Sequence, residues 1–253
     1  MKRPPSPAFD RVFKDLKALA RPDQLDGMAR FGIAGKGRLG ASIPPLRSLA
    51  KSIGKDHALA DQLWMTGIPD AMILAAFVGE PEKLTSRQMD RWVKMIDSWD
   101  VCDQACSNLF DRTSLAWVKI RRWSLRKEEF VKRAGYVLIA SLALHDRSAP
   151  DSTFRALLPL IRNGATDERN FVRKAVNWAL RHIGKRNPSL RKAAIKEAEA
   201  IRRLPSPAAR WIASDALREL TNPKTIARVR ARGLPPPRKM TGGISRQPAS
   251  ARD

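Results

Sequence analysis

Apolar residues recur along most of this chain at intervals of three and four, the spacing that gathers them on one face of an α-helix. The period-two alternation of β-strands is absent, and β-branched residues dominate no window. Prolines support the helix boundaries, because several fall at first-turn positions, where a missing N–H costs nothing. The pattern predicts helices over residues 7–20, 23–31, 44–54, 57–66, 69–78, 85–97, 99–110, 114–122, 126–144, 151–163, 168–186, 188–202, 206–220 and 222–232.

Predicted helix starts recur near residues 85, 126, 168 and 206, at about the 40-residue period of HEAT repeats. Short turns join the helices, and stacked helix pairs of this kind curve and form a concave surface. We therefore predict an all-α fold, an α-solenoid of HEAT-like helix pairs with a concave basic surface, as a single domain over residues 1–232.

Two segments do not fit the helical pattern. The Gly-rich stretch "GIAGKGRLGASIPP", from Gly32, is interpreted as a connector, because no Lys-Ser/Thr follows its last glycine as in a phosphate loop. Residues 233–253 contain turn formers, scattered cations and no apolar period. This composition predicts a disordered basic tail.

The net charge is +23, from 48 Lys and Arg against 25 Asp and Glu. Such an excess repels itself unless a polyanion neutralises it, so nucleic acid is the leading partner and an anionic membrane surface the second. No apolar run approaches the roughly 20 residues that span a bilayer, and the N-terminus has no apolar signal-peptide core. We expect a cytoplasmic protein that does not enter the membrane.

No metal or cofactor site is expected. Cys102 and Cys106 lie four residues apart without further ligands nearby, so they are interpreted as reduced, packed thiols. His57, His145 and His182 are scattered and are interpreted as surface or capped histidines rather than catalytic bases.

One tryptophan lies off the apolar stripe of the helix predicted over 168–186. A helical projection places Trp178 on the flank that carries Lys174, Arg181 and Lys185. The ring could rest at the edge of the core with its N–H in water. Alternatively, the cations hold phosphates while the aromatic face packs on sugar or base. The cations favour a nucleic-acid contact.

A second off-stripe tryptophan begins the helix after Ser98. Trp99 and Asp103 are four residues apart and share a face, whereas Val101 and Cys102 point toward the core. Asp100 is interpreted as a solvated acid in the first helical turn. Trp64, Trp92 and Trp211 are interpreted as core residues. Trp117 and Trp123 lie in "WVKIRRWSLRK", where aromatics alternate with cations; they could touch DNA, but the core is the favoured interpretation.

The stretches "SWDVCDQ", "RKAVNWALR" and "FVKRAGYV" resemble segments of the DNA alkylation repair enzymes, AlkD-like glycosylases built of HEAT-like repeats. The resemblance runs in order over residues 10–232. It implies that Trp99, Asp103 and Trp178 line the concave site and that Arg133 helps hold DNA. Arg181 also matches a family cation. Phe31 departs from the family, in which some members carry Tyr at this position.

The resemblance implies a monofunctional glycosylase that removes cationic alkylpurines, such as 3-methyladenine and 7-methylguanine, from double-stranded DNA in base excision repair. We expect a monomer that needs no cofactor. A cationic base is a good leaving group, and a fixed carboxylate can stabilise the oxocarbenium-like sugar that remains. The chemistry therefore requires no strong general acid.

Two other functions remain open from the residues. The same scaffold could recognise damaged or branched DNA without cutting it, or it could bind RNA or an acidic protein. Asp103 favours the enzyme, because a carboxylate in a phosphate-binding groove would only repel the ligand.

Overall fold

The computed structural model describes residues 7–33 and 36–233, and every regular element within them is helical. Three short 3₁₀ turns also occur, at Pro22–Gln24, Pro81–Lys83 and Phe110–Arg112. The α-helices are α1 (Pro7–Ala18), α2 (Leu25–Arg30), α3 (Ile43–Ile53), α4 (His57–Trp64), α5 (Pro69–Val78), α6 (Ser86–Val93), α7 (Trp99–Asn108), α8 (Ala116–Trp123), α9 (Glu129–His145), α10 (Asp151–Arg155), α11 (Leu158–Gly164), α12 (Asn170–Gly184), α13 (Pro188–Arg202), α14 (Pro207–Leu220) and α15 (Pro223–Gly233).

Local sequence signals account for most helix boundaries. Ser206 caps α14 by accepting a hydrogen bond from the Ala209 N–H, as helix N-caps do. Asn222 likewise accepts from the Lys224 N–H at the start of α15. The single helix predicted over 151–163 is instead two helices, α10 and α11. Pro159 lies in the first turn of α11, and its ring cannot continue a preceding helix.

The helices form two stacked rows, which confirms the predicted α-solenoid. Neighbours in the inner row pack directly on each other in the order α3, α5, α7, α9, α12 and α14. Outer-row helices α4, α8, α11 and α13 each pack against their inner-row partner. Each helix pair thus buries its apolar faces against the next pair, as in repeat proteins.

The core runs between the two rows. Apart from Asp70 in its first turn, helix α5 is apolar on all sides, and all of its residues except Phe77 are buried, as expected for a helix enclosed by its neighbours. Trp64 and Trp92 stack in parallel with ring centroids 4.4 Å apart. Cys102 and Cys106 are buried, free thiols.

The prediction that Trp211 belongs to the core is wrong. Its ring is 37% exposed, and the Arg173 guanidinium lies over it at 5.1 Å. The indole therefore packs under a cation at the surface of α14 and is partly in contact with water.

The predicted tail lies outside the described residues from position 234 onward. Within the described part of the chain, no helix has the length and hydropathy needed to cross a bilayer. The same residues contain no cluster of His, Cys, Asp or Glu suited to a metal ion.

Candidate functional site

A cleft of about 610 Å³ opens along the inner row of helices. Its walls come from α3, α7, the C-terminal end of α9, α12 and the segment that follows α2. Trp99, Asp103 and Trp178 all line this cleft. The structure therefore brings together the three residues predicted for the site, which belong to two helices distant in the chain.

Asp103 is held at the cleft wall by Arg133 of α9. The Arg133 Nη2 donates to both carboxylate oxygens at 2.9 Å, and Nε donates to Oδ1 at 3.1 Å. Nη1 donates to the Phe171 carbonyl at 2.6 Å. Every nitrogen of the guanidinium is thus engaged, and the planar fork fixes the carboxylate orientation.

The family resemblance implies that Arg133 helps hold DNA, and in the structure its guanidinium faces Asp103 and the Phe171 carbonyl. Its side chain is only 6% exposed, whereas that of Asp103 is 17% exposed. The guanidinium lies behind the carboxylate, so a phosphate at the surface would meet Asp103 first. Arg133 is a positioning residue in this arrangement.

Burial dominates the electrostatics of Asp103. It raises the pKa of this carboxyl to about 6, and the charge and hydrogen bonds of Arg133 oppose the rise. The nearby carboxylate of Asp100 raises the pKa further. Asp103 is therefore mainly ionised above pH 6, in poorly hydrated surroundings where its charge acts strongly on a nearby cation.

Trp99 begins α7 and anchors the segment after α2. Its Nε1–H donates to the Phe31 carbonyl at 3.0 Å. Gly32 has φ +71°, and a Cβ there would lie 2.8 Å from the Phe171 ring, so a larger residue would strain the backbone and displace that ring. The Phe31 ring itself is 76% exposed. Phe31 is thus held by its backbone carbonyl next to Trp99, with its ring in solvent.

Trp178 is half-buried and rests on the core, with its polar end tied to its own helix. Its Nε1–H donates to His182 Nε2 at 2.7 Å, and the two rings are perpendicular at 5.5 Å. The ring packs at the core edge and lines the cleft, but its N–H is bonded to His182 rather than to water. Its contact with nucleic acid stays a prediction.

The cations predicted to flank Trp178 are not arranged as one phosphate-binding row. Arg181 Nη1 pairs with Glu219 at 2.7 Å and with Asp215 at 3.3 Å. Lys185 pairs with Glu219 at 2.9 Å. These two cations join α12 to the acids of α14, which the helical projection of one segment could not show. Lys174 is exposed on α12.

The interpretation of Asp100 as a solvated acid is wrong. Arg38 donates two hydrogen bonds of 2.9 Å to its carboxylate. The side chain of Asp100 is 15% exposed and that of Arg38 is 6% exposed. Arg38 comes from the segment interpreted as a plain connector. The buried carboxylate of Asp70 holds that segment by accepting from the Leu39 and Ala41 N–H groups.

An acid–histidine pair at the cleft was not found from the sequence. His145 Nδ1 lies 2.5 Å from Asp111 Oδ2, and the Asp111 side chain is fully buried. Burial raises the pKa of Asp111, while the bond to His145 opposes the rise. His145 ends α9 and lines the cleft. The residues are 34 positions apart, so only the packing of repeats joins them.

Comparison with known proteins agrees with this architecture. The family model described as DNA alkylation repair enzyme matches residues 12–227. An uncharacterised protein of Listeria innocua serovar 6a is 22% identical over 197 residues, or 76% of this chain and 86% of that protein.

A solved structure also shares the fold. It is described as belonging to a new family of proteins related to the HEAT-like repeat DNA glycosylases with affinity for branched DNA structures. It is 19% identical, has a TM-score of 0.69, and the match covers 83% of this chain and 94% of that one. With a HEAT-like fold and a family match over most of its length, the chain belongs to the DNA alkylation repair enzyme family.

Proposed function

We propose that this protein is a monofunctional DNA glycosylase that hydrolyses the N-glycosidic bond of cationic alkylpurines in double-stranded DNA. The observation that carries the proposal is the Asp103 carboxylate, fixed by Arg133 beside Trp99 and Trp178 in one cleft. A carboxylate so fixed is suited to a substrate that develops positive charge rather than to a phosphate.

The proposed reaction needs no cofactor. The bond between sugar C1′ and the purine nitrogen breaks, and its electron pair neutralises the cationic base, which leaves. The sugar becomes oxocarbenium-like, and the Asp103 carboxylate stabilises that charge. Water then adds to C1′ and gives up a proton, which produces an abasic site.

Each of the other residues has a defined part in this proposal. Trp99 and Trp178 offer aromatic faces that attract the cationic base and sugar. Arg133 keeps the carboxylate aimed into the cleft, and the net charge of +23 attracts the DNA backbone. Lys174 on the exposed surface of α12 remains a proposed backbone contact, and we propose that a cytoplasmic monomer is sufficient for the activity.

A second candidate is a protein that binds branched DNA without cutting it. The relative with a TM-score of 0.69 is described as having affinity for such structures. The Arg133–Asp103 ion pair also supports this candidate, because the guanidinium neutralises part of the charge that catalysis would use. The two candidates differ in whether a base is released.

Incubation of the full chain with duplex DNA containing 7-methylguanine distinguishes them. The glycosylase proposal predicts free 7-methylguanine and an equal quantity of abasic sites. Binding to four-way or forked DNA, stronger than to duplex of the same length and without any base release, would instead favour the second candidate.

A further inference from the structure

A second hollow adjoins the cleft, and its wall is unusually cationic. It has a volume of about 320 Å³ and is lined by Arg47, Lys51, Lys55 and Arg112. We propose that this hollow, here called the cation pocket, binds a phosphate group of a DNA strand that occupies the cleft. The inference rests on the proposed function insofar as it takes DNA to be the ligand of the cleft.

No carboxylate lines the cation pocket; its other lining residues are Ala50, Gly54, Phe77 and Asn108. Elsewhere around the cleft, Arg38 and Arg133 are each joined to an aspartate. The cation pocket differs because, within the described residues, none of its four cations forms an ion pair with an acid; the charges of Glu80 and Glu82 act on Lys55 from outside the lining. Such a concentration of charge is stabilised by an anion.

Within the described residues, Arg47 contacts a ring and two side-chain amides rather than an acid. Its guanidinium lies over the Phe77 ring at 4.5 Å. Its Nη2 donates to the side-chain amide oxygens of Asn108 at 3.1 Å and Gln104 at 3.5 Å. The ring and amides hold the guanidinium plane in place, and a planar fork of donors is suited to phosphate oxygens.

Lys55 is also held in a fixed position. Its Nζ donates to the carbonyls of Phe77 at 2.8 Å and Gly79 at 2.9 Å, which leaves one of its three N–H donors for a ligand. Burial and the charge of Arg112 lower the pKa of Lys55. A bound anion would offset that repulsion between like charges.

The cation pocket and the cleft share one wall. Arg47, Asn108 and Arg112 line both, so a strand with a nucleotide near Asp103 can place a phosphate in the pocket without leaving the protein surface. Phosphate contacts of this kind fix the register of the strand and carry no sequence information. The pocket would therefore set which nucleotide reaches Asp103.

The test measures affinity of the full chain for an undamaged duplex with 5′-hydroxyl ends over a series of salt concentrations. Lys51→Ala and Arg112→Ala should each reduce the slope of log affinity against log salt by about 1. Lys196→Ala is the matched control, because Lys196 is an exposed lysine on the outer-row helix α13, and its slope should equal that of the wild type.

Two further arms identify the source of the phosphate. If the pocket binds an internal phosphodiester, 5′-phosphates added to the duplex should not change its affinity for the protein. If the pocket binds a terminal phosphate, the 5′-phosphorylated duplex should bind several-fold more tightly, and Lys51→Ala should abolish this gain in affinity. An NMR titration with inorganic phosphate tests the pocket without DNA. The chemical-shift changes that phosphate causes in the wild type should be absent from Lys51→Ala and Arg112→Ala.

Wild-type salt slopes in both pocket variants, together with unchanged responses to inorganic phosphate, would overturn the inference. These measurements use undamaged DNA and do not depend on base release. A failed excision assay on 7-methylguanine DNA would therefore count against the glycosylase proposal alone. Circular dichroism melting of each variant confirms that the fold is retained, as expected for two exposed side chains.

Discussion

Arg133 donates from a single nitrogen to both carboxylate oxygens of Asp103, at 2.9 Å each, from the buried side of the cleft wall. The pair joins α9 to α7 and leaves the carboxylate edge facing the cavity. A cation that the family resemblance assigned to DNA thus supports the candidate catalytic acid instead. This relationship determines how the remaining site residues can be tested.

Arg133→Lys should lower the rate of base excision while leaving the salt dependence of binding to undamaged duplex unchanged. Lysine keeps the charge but cannot reproduce the planar fork that orients the carboxylate. Excision and salt-titrated binding, measured on the same preparations, check this expectation. A reduced salt slope with normal excision would mean that Arg133 reaches a phosphate after all.

Excision under single-turnover conditions should increase with pH through an apparent pKa near 6, because burial raises the pKa of Asp103 to about 6 and the proposed step uses the ionised form. A rate that is flat from pH 5 to pH 8, with DNA binding saturated at every pH, would contradict the role of this carboxylate.

Ionisation of Asp103 should also affect folding stability, which should fall with rising pH where the excision rate increases. A carboxyl whose pKa is higher in the folded than in the unfolded chain binds more protons when folded, so its contribution to stability is lost as pH rises from about 4 to about 6. The stability of wild type relative to Asp103→Asn should therefore fall over this range. Urea unfolding of both proteins at several pH values checks the sign.

Trp178→Ala should strongly reduce the rate of excision while reducing the free energy of unfolding less than truncation of a core tryptophan does. Trp178 is half-buried, whereas Trp64 is completely buried, and truncation of a core tryptophan costs about 3–5 kcal/mol. Trp64→Ala is the matched control, expected to lose that stability. Equal losses of stability in the two variants, with normal specific activity for Trp178→Ala, would assign Trp178 to the core alone.

Lys174→Ala should weaken binding to duplex DNA, and Arg181→Ala should not. Lys174 is exposed, while the Arg181 charge is shared with Glu219 and Asp215. Loss of the partly exposed Arg181 pairs should cost about 1 kcal/mol of stability. Salt-dependent binding and denaturation curves separate the two effects. Comparable reductions in salt slope would restore Arg181 to the DNA-binding set.

The spacing of apolar residues, the prolines and the capping residues predicted the helices well, because each of these signals acts within a single helix. The boundaries of α5 and α13 were predicted to the residue. Trp99 and Trp178 stood out because each lies off its apolar stripe, and the family resemblance joined them with Asp103 as one site. The pairings across helices were not predictable. Arg38 meets Asp100 from 62 residues away.

The error at Trp211 has the same origin. A helical projection shows which residues share a face but not whether a neighbouring helix covers that face. Arg173, from α12, provides the cover for this ring. The helical projection of α12 could not show the ion pairs of Arg181 and Lys185 for the same reason, because the acid that pairs with them belongs to α14.

The most direct test of the account is single-turnover excision of 7-methylguanine from one defined duplex by wild type and Asp103→Asn. The substitution keeps the side-chain shape and removes the charge, so excision should fall by about 10²–10³ while DNA affinity holds or rises. Asp97→Asn is the control, because Asp97 is exposed just before α7; Asp100, joined to Arg38, cannot serve. Excision by Asp103→Asn at the wild-type rate would contradict the carboxylate mechanism.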